Sequence, residues 1–339
     1  MNYIWEVFNL KLNKIFTSHM VFPANKTIKI YGEGNGKGRI NFAGQIKEIN
    51  SDGGKWCVEF PPMEYGGPYE IKVLLNDEEI VLEDIFAGEV FLFAGQSNMQ
   101  FKIKESKTPQ ELIKSNNNLR LYSTDRIEKT DAFTSDDGWK ICKEDEIGEW
   151  SAIAYLAGNE LTKLKNVAIG IIVCYQGASV IESWLPNGTL EKLNINIPIE
   201  NKLIDHTFHE FVEWNQNGKL YEYALSQVTP FQISGVVWYQ GESDTTIDES
   251  LVYLKELCAL IDVLRNDFCD DDLKFIIVQL ADYSPRDDEA WKNVQKAQIE
   301  VQKIRKNVIT VIAADVCEKD NIHPPTKYKL AKRIAQALN

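Results

Sequence analysis

Residues 89–101 read "EVFLFAGQSNMQF". Val90 to Phe93 form an unbroken apolar run, the pattern of a strand buried on both faces. Gly95 ends the run, and the polar segment Gln96-Ser97-Asn98 follows at once. In an open parallel sheet, ligands bind beyond the carboxyl ends of the strands, so a serine in this place is a candidate for chemistry.

The same grammar recurs downstream. Apolar runs stand at "LRLYS" (119–123), "VAIGIIVC" (167–174), "ISGVVWYQ" (233–240), "KFIIVQL" (274–280) and "VITVIAAD" (308–315). Helical periods separate them. "SAIAYLAGNELTKL" sets Ala152, Tyr155, Leu156 and Leu164 near one face, and "SLVYLKELCALIDVL" does so with Leu251, Leu254, Leu257 and Leu260. A last helix, "TKYKLAKRIAQAL", is expected to enter from Pro324 and Pro325. Alternating strand and helix predict an α/β fold: a mostly parallel sheet with helices on both faces, spanning 88–339. Residues 1–87 differ. Short alternating stretches, "TIKIYG" and "YEIKVLL", are broken by "GEGNGKG" and "DGG", which predicts a small β-rich, sandwich-like domain. Residues 187–219 are polar and irregular and read as an insertion.

The 339 residues carry a net charge of −13, with 44% hydrophobic and 26% charged residues. That suits a globular protein and argues against broad binding of nucleic-acid phosphates. Cys57, Cys142, Cys174, Cys258, Cys269 and Cys317 lack C-x-x-C spacing, so neither a disulfide framework nor a zinc ribbon is expected, and Cys174 and Cys258 read as core residues. The opening "MNYIWEVFNLKLNKIF" lacks a basic region ahead of a long apolar stretch, and the chain holds no run long enough to span a membrane. A cytoplasmic location is the expectation.

Polar segments, three of them containing glycine, close most of the runs: "GQSN", "YQGAS", "YQGESD", "ADYS" and "ADVCEKDNIHP". They gather at one sheet edge. A serine hydroxyl needs a base to become a nucleophile. Of His19, His206, His209 and His323, only His323 follows a core strand of the α/β region. Asp320, three residues earlier, is placed to reach the far ring nitrogen, and Ser97, His323 and Asp320 then make a triad. Asp315 is the rival acid. An attacked carbonyl needs fixed donors, for which the Ser97 and Gly177 amides and the Gln240 side chain are candidates.

"GEVFLFAGQSNMQF", "GVVWYQGESD" and "DNIHP" resemble, in order and interval, the blocks of SGNH-type hydrolases, specifically the sialate O-acetylesterase and related carbohydrate acetylesterase group. "GGPYEIKVLL", "WSAIAYLAGNEL" and "IGIIVCYQGASVIESW" extend the resemblance over nearly the whole chain. It implies Ser97 as nucleophile, Gly177 and Gln240 or a neighbour as oxyanion donors, and Asp320 and His323 as the D-x-x-H pair. It also implies an SGNH-hydrolase-like, flavodoxin-like parallel sheet, and hydrolysis of acetyl esters on sugars without metal or other cofactor. O-acetylated sialic acid is the expected substrate. Acetylated xylan or another plant oligosaccharide is the alternative, and a non-catalytic glycan-binding protein is the alternative of another class. The third block ends in Asp244, where relatives often carry asparagine, so Asp244 is given no oxyanion role.

Candidate substrate contacts are Gln96, Trp184 and Glu242. Trp184 also suits core packing, and Glu242 also suits ordering its own loop. Trp238 reads as core. His206 and His209 have H-x-x-H spacing but sit in the polar insertion, so a solvated face or pocket rim is expected rather than zinc, which takes three or four ligands.

Overall fold

A computed structural model describes residues 10–127, 132–198, 201–202, 209–286 and 288–339, with the backbone alone for His209 and Glu210. The chain opens with β1 (Lys11–Leu12), β2 (Val21–Pro23), β3 (Ile28–Glu33), β4 (Gly36–Phe42), β5 (Gln45–Ser51), β6 (Lys55–Phe60) and β7 (Gly66–Leu75). Apart from β2, these strands form two antiparallel layers. β1, β3 and β6 make one sheet, while β4 pairs with both β5 and β7. Period-two burial follows: Ile28 and Ile30, Val58 and Phe60, Ile40 and Phe42, and Ile71, Val73 and Leu75 all point into a shared core. Phe42 meets Phe60 edge-on across the layers, with ring centroids 5.5 Å apart.

The next strand, β8 (Glu78–Gly95), is 18 residues long and belongs to both halves of the protein. Its first part pairs antiparallel with β7, its last part parallel with the strands of the α/β sheet. Burial alternates up to Ile85 and becomes almost continuous from Ala87. Residues 87 and 88 lie inside this one strand, near the change of burial pattern.

Beyond β8 come β9 (Asn116–Ser123), β10 (Lys140–Cys142), β11 (Ile169–Tyr175), β12 (Gly235–Tyr239), β13 (Lys274–Val278) and β14 (Val308–Val311). Their order is β10-β9-β11-β8-β12-β13-β14, parallel except for β10. A flavodoxin-like sheet has the order 2-1-3-4-5. Here the second parallel strand, β9, is separated from β8 by β11, which corrects that expectation. The β8–β9 connection holds only the one-turn helix Ser97–Gln100 and two short 3₁₀ turns, and the place beside β8 is filled by β11. The chain thus moves to one side of β8 and later to the other. The ends of β8, β11 and β12 frame the switch point, where an open sheet leaves a crevice.

Helices Ala152–Lys165 and Tyr328–Leu338 pack together, as do Ile247–Asp267 and Glu289–Ile304. Side-chain caps at Ser151, Thr246 and Asp288 start three of them. Two residues of the expected apolar stripes lie outside: Leu164 is 43% and Leu251 66% exposed. In the longer helix the buried stripe is Tyr253, Leu257, Leu260, Ile261 and Leu264, which turns Leu251 outward. The last helix begins at Tyr328, later than the two prolines suggest. The cysteines are free, and Cys174 and Cys258 are buried. No helix among the described residues is long and apolar enough to cross a membrane.

Gly95 sets how closely β8 and β12 approach. Its φ is +145°, and a Cβ there would lie 2.0 Å from the Tyr239 carbonyl oxygen. Gly95→Ala combines a forbidden backbone angle with a clash against backbone and should cost roughly 2–5 kcal/mol. A lowered urea midpoint is expected, and an unchanged one would show that the two strands can part freely here.

Candidate active site

Ser97 opens the one-turn helix directly after β8, and the Gln96 N–H is tied to the Tyr239 carbonyl at 3.0 Å. The strand end is thereby locked to β12 while the serine turns outward, half-buried. Its hydroxyl lies 2.8 Å from His323 Nε2. The structure thus brings together the expected nucleophile and base, 226 residues apart in the chain.

Asp320 is not in the same contact. It is exposed and shares no hydrogen bond with His323 among the described residues. The loop instead closes on Asn321, whose Oδ1 accepts the His323 N–H at 2.8 Å. Asp315, the rival acid, is paired with Arg333 through both carboxylate oxygens at 2.5 and 2.7 Å. The His323 pKa is lowered by burial and by the nearby Lys327 charge, while Glu105 acts to raise it.

Asn98 joins the serine turn to the histidine loop. Its Nδ2 donates to the Ile322 carbonyl at 2.8 Å and to Glu242 Oε1 at 2.5 Å, and its Oδ1 accepts from Lys327 Nζ at 2.5 Å. Lys327 is fully buried, with its ammonium 5.1 Å from the Phe101 ring centroid and 5.5 Å from that of Tyr239. Burial lowers its pKa to about 8, against the opposing pull of Cys317, Glu242 and Glu318. Burial likewise raises that of Glu242. Sequence reading missed Lys327, because a lysine entering a surface helix normally faces water.

The other expected residues divide. Among the described residues the Ser97 N–H donates to no acceptor. Gly177 lies beside it, and a Cβ at Gly177 would stand 3.9 Å from that of Ser97. The Gly177 N–H, however, donates to Gln100 Oε1 at 3.0 Å and is not open to another acceptor in this arrangement. Gln240 does not fill the expected role. It is fully buried, its Nε2 donates to the Ser179 carbonyl at 2.9 Å and to Asp244, and its Oε1 accepts from Tyr253 at 3.0 Å. A buried amide must find partners for its polar atoms, and these clamp the β11 and β12 loops together. Asp244, buried and also bonded to the Ile181 N–H, belongs to that clamp.

Trp184 is core rather than a sugar platform. It has no exposed surface, packs edge-on against Trp238 at 5.7 Å, and donates Nε1–H to Ser179. Gln96 and Glu242 do line the cleft, although both are largely buried, and Gln96 accepts from the Gly241 N–H and donates to Ser243.

The cleft measures about 950 Å³ and also takes in Phe101, Glu105, Lys202, Phe211, Trp214 and Arg286. Phe211 and Trp214 come from the region read as a polar insertion, where Asn215 bonds both the Val180 N–H and the Ala178 carbonyl and so steadies the Gly177 segment. His206 lies outside the described residues, and His209 is described only as backbone of a short helix. Among the described residues no group of His, Cys, Asp and Glu is arranged to hold a metal.

Residues 87–339 match the SASA family, described as "Carbohydrate esterase, sialic acid-specific acetylesterase". The sialate O-acetylesterases of Pongo abelii and Homo sapiens are each 25% identical to the chain over 340 residues, covering 88% of it. The chain spans only 62% of the length of those relatives. The crystal structure of a carbohydrate acetylesterase from Xanthomonas citri shares the fold with a TM-score of 0.84 at 24% identity, over 97% of this chain and 74% of that one. An Arabidopsis thaliana protein of known X-ray structure gives a TM-score of 0.50 at 21% identity, over 74% of this chain and 97% of its own.

Because burial and Lys327 disfavour the imidazolium, the ring of His323 should titrate below the ordinary value of 6.5. Lys327→Met removes a neighbouring positive charge, so the midpoint should move to higher pH. NMR titration of the ring measures both. An unmoved midpoint in the variant would remove Lys327 from the electrostatics of the site.

Proposed function

The chain belongs to the SASA family of carbohydrate esterases, and from that premise we propose that it is a serine esterase of the SGNH type that removes O-acetyl groups from a sugar, with O-acetylated sialic acid as substrate. The observation that carries the reading is the 2.8 Å contact between Ser97 Oγ and His323 Nε2 at the floor of a cleft of about 950 Å³.

In this mechanism Ser97 Oγ attacks the acetyl carbonyl carbon while His323 Nε2 takes its proton. The Ser97 N–H holds the resulting oxyanion, and the Gly177 N–H joins once Gln100 releases it. Collapse of the tetrahedral adduct breaks the bond to the sugar oxygen, which receives the proton from His323. Water, activated by the same imidazole, then attacks the acetyl-serine and releases acetate. A base whose pKa is held down stays neutral, and so competent, into mildly acidic solution.

Asp320 is proposed as the carboxylate that orients His323, on the strength of its D-x-x-H spacing. To do so its loop must bring the side chain onto Nδ1 when substrate fills the cleft. Glu105 already acts on the ring electrostatically from the cleft wall. A cytoplasmic setting is part of the proposal and suits small imported sugars.

Acetate release from O-acetylated sialic acid and from acetylated xylo-oligosaccharides tests the reading. The sialate ester should be the better substrate, and Ser97→Ala should lower its turnover by at least about 10³-fold. Full turnover by Ser97→Ala would refute the nucleophile. Asp320→Asn should reduce kcat by roughly 10²–10⁴-fold. An undiminished Asp320→Asn enzyme beside an impaired Glu105→Gln enzyme would transfer the orienting role to Glu105.

A further inference from the structure

The charged side chains of the cleft are not equivalent. Among the described residues lining it, Lys202 is ion-paired with buried Glu182. Glu242 accepts from Asn98, which also holds the Lys327 ammonium. Glu105 accepts the Lys102 N–H at 2.8 Å, closing its own turn. Arg286 differs. Its Nη2 donates to the Thr245 carbonyl at 2.7 Å, and no described carboxylate pairs with it. A guanidinium carries five N–H donors in a planar fork, so most of them are left to meet whatever enters the cleft.

Position adds to the argument. Thr245 follows the Glu242–Asp244 turn, and Ser243 of that turn is bonded to Gln96, the neighbour of Ser97. The fork is therefore anchored by one edge to the same loop that borders the serine. On a chain with a net charge of −13, an anionic substrate is repelled at long range and needs a local cation to be held. The ligand that matches a planar, half-buried guanidinium is a carboxylate, taken through two parallel hydrogen bonds.

We propose that Arg286 forms a carboxylate subsite that makes the cleft select acetylated sugar acids over neutral acetylated sugars. The inference rests on the esterase reading for its kinetic meaning, but it makes a separate claim about binding. A sialic acid offers a carboxylate, whereas a neutral xylan backbone offers none, so one residue divides the two substrate classes.

The test compares the wild type, Arg286→Gln and Arg286→Lys on O-acetylated N-acetylneuraminic acid and on its methyl ester, in which the carboxylate charge is removed. The wild type should prefer the free acid by about 10- to 100-fold in kcat/KM. Arg286→Gln should collapse that ratio towards one, chiefly through KM, and Arg286→Lys should restore part of it. Equal kcat/KM of the wild type on both esters, or equal losses on both in Arg286→Gln, would overturn the proposal. Calorimetric titration of Ser97→Ala, with and without Arg286→Gln, using N-acetylneuraminic acid and its methyl ester, reads the subsite without catalysis. Preference for the acid, lost on Arg286→Gln, supports the subsite even if the serine proves not to be the nucleophile. Indifference to the carboxylate refutes it even if Ser97 is essential.

Discussion

The site depends on the hydrogen bonds of one buried amide. Asn98 reaches the Ile322 carbonyl, 224 residues away in the chain, and binds Glu242 and Lys327 in the same stroke. That bridge acts beside the bonds from the Lys107 N–H to the Pro325 carbonyl at 2.9 Å and from the Ser284 N–H to the Lys319 carbonyl at 2.8 Å, which also hold the histidine loop, solvent-facing over residues 319–321. A carboxamide suits the task because it donates and accepts at once, so it can stand between a carboxylate and an ammonium that are both out of water. Burying those two charges is costly, and their hydrogen bonds through Asn98 offset part of that cost. The arrangement favours one geometry for Ser97 and His323 over its neighbours.

The sheet supplies the frame for that amide. β8 leaves the N-terminal β layers and runs without a break into the centre of the parallel sheet. The serine turn is therefore fixed at its root by pairing on both sides, to β11 and to β12. Gly95 lets β12 come close, and the Gln240 clamp holds the two flanking loops against each other. Preorganisation of this kind favours chemistry at Ser97, because the neighbouring imidazole is already in place and does not have to be ordered first.

Burial also assigns work among side chains that look alike in sequence. Gln96 and Gln240 both follow a strand end, yet Gln96 borders the cleft and Gln240 is wholly internal. Trp184 and Trp214 are both buried, yet only Trp214 lines the cleft, because Trp184 is spent against Trp238 and Ser179. Lys202 and Arg286 both line the cleft, but Glu182 already pairs with the first.

What the sequence by itself determined is the set of local patterns: which runs become strands, where polar glycine segments close them, and which serine and histidine such segments present. Those features are legible because burial on both faces demands continuous apolar residues, and because a turn demands its own residue types within a few positions. Strand order, the turn of Asp320 away from His323, the enclosure of Gln240 and Trp184, the buried Lys327 and the unspent guanidinium of Arg286 were decided only by the tertiary structure. Each depends on which distant groups arrive alongside, and the partner that satisfies a buried polar atom is chosen by three-dimensional packing, which no pattern of neighbouring residues along the chain encodes.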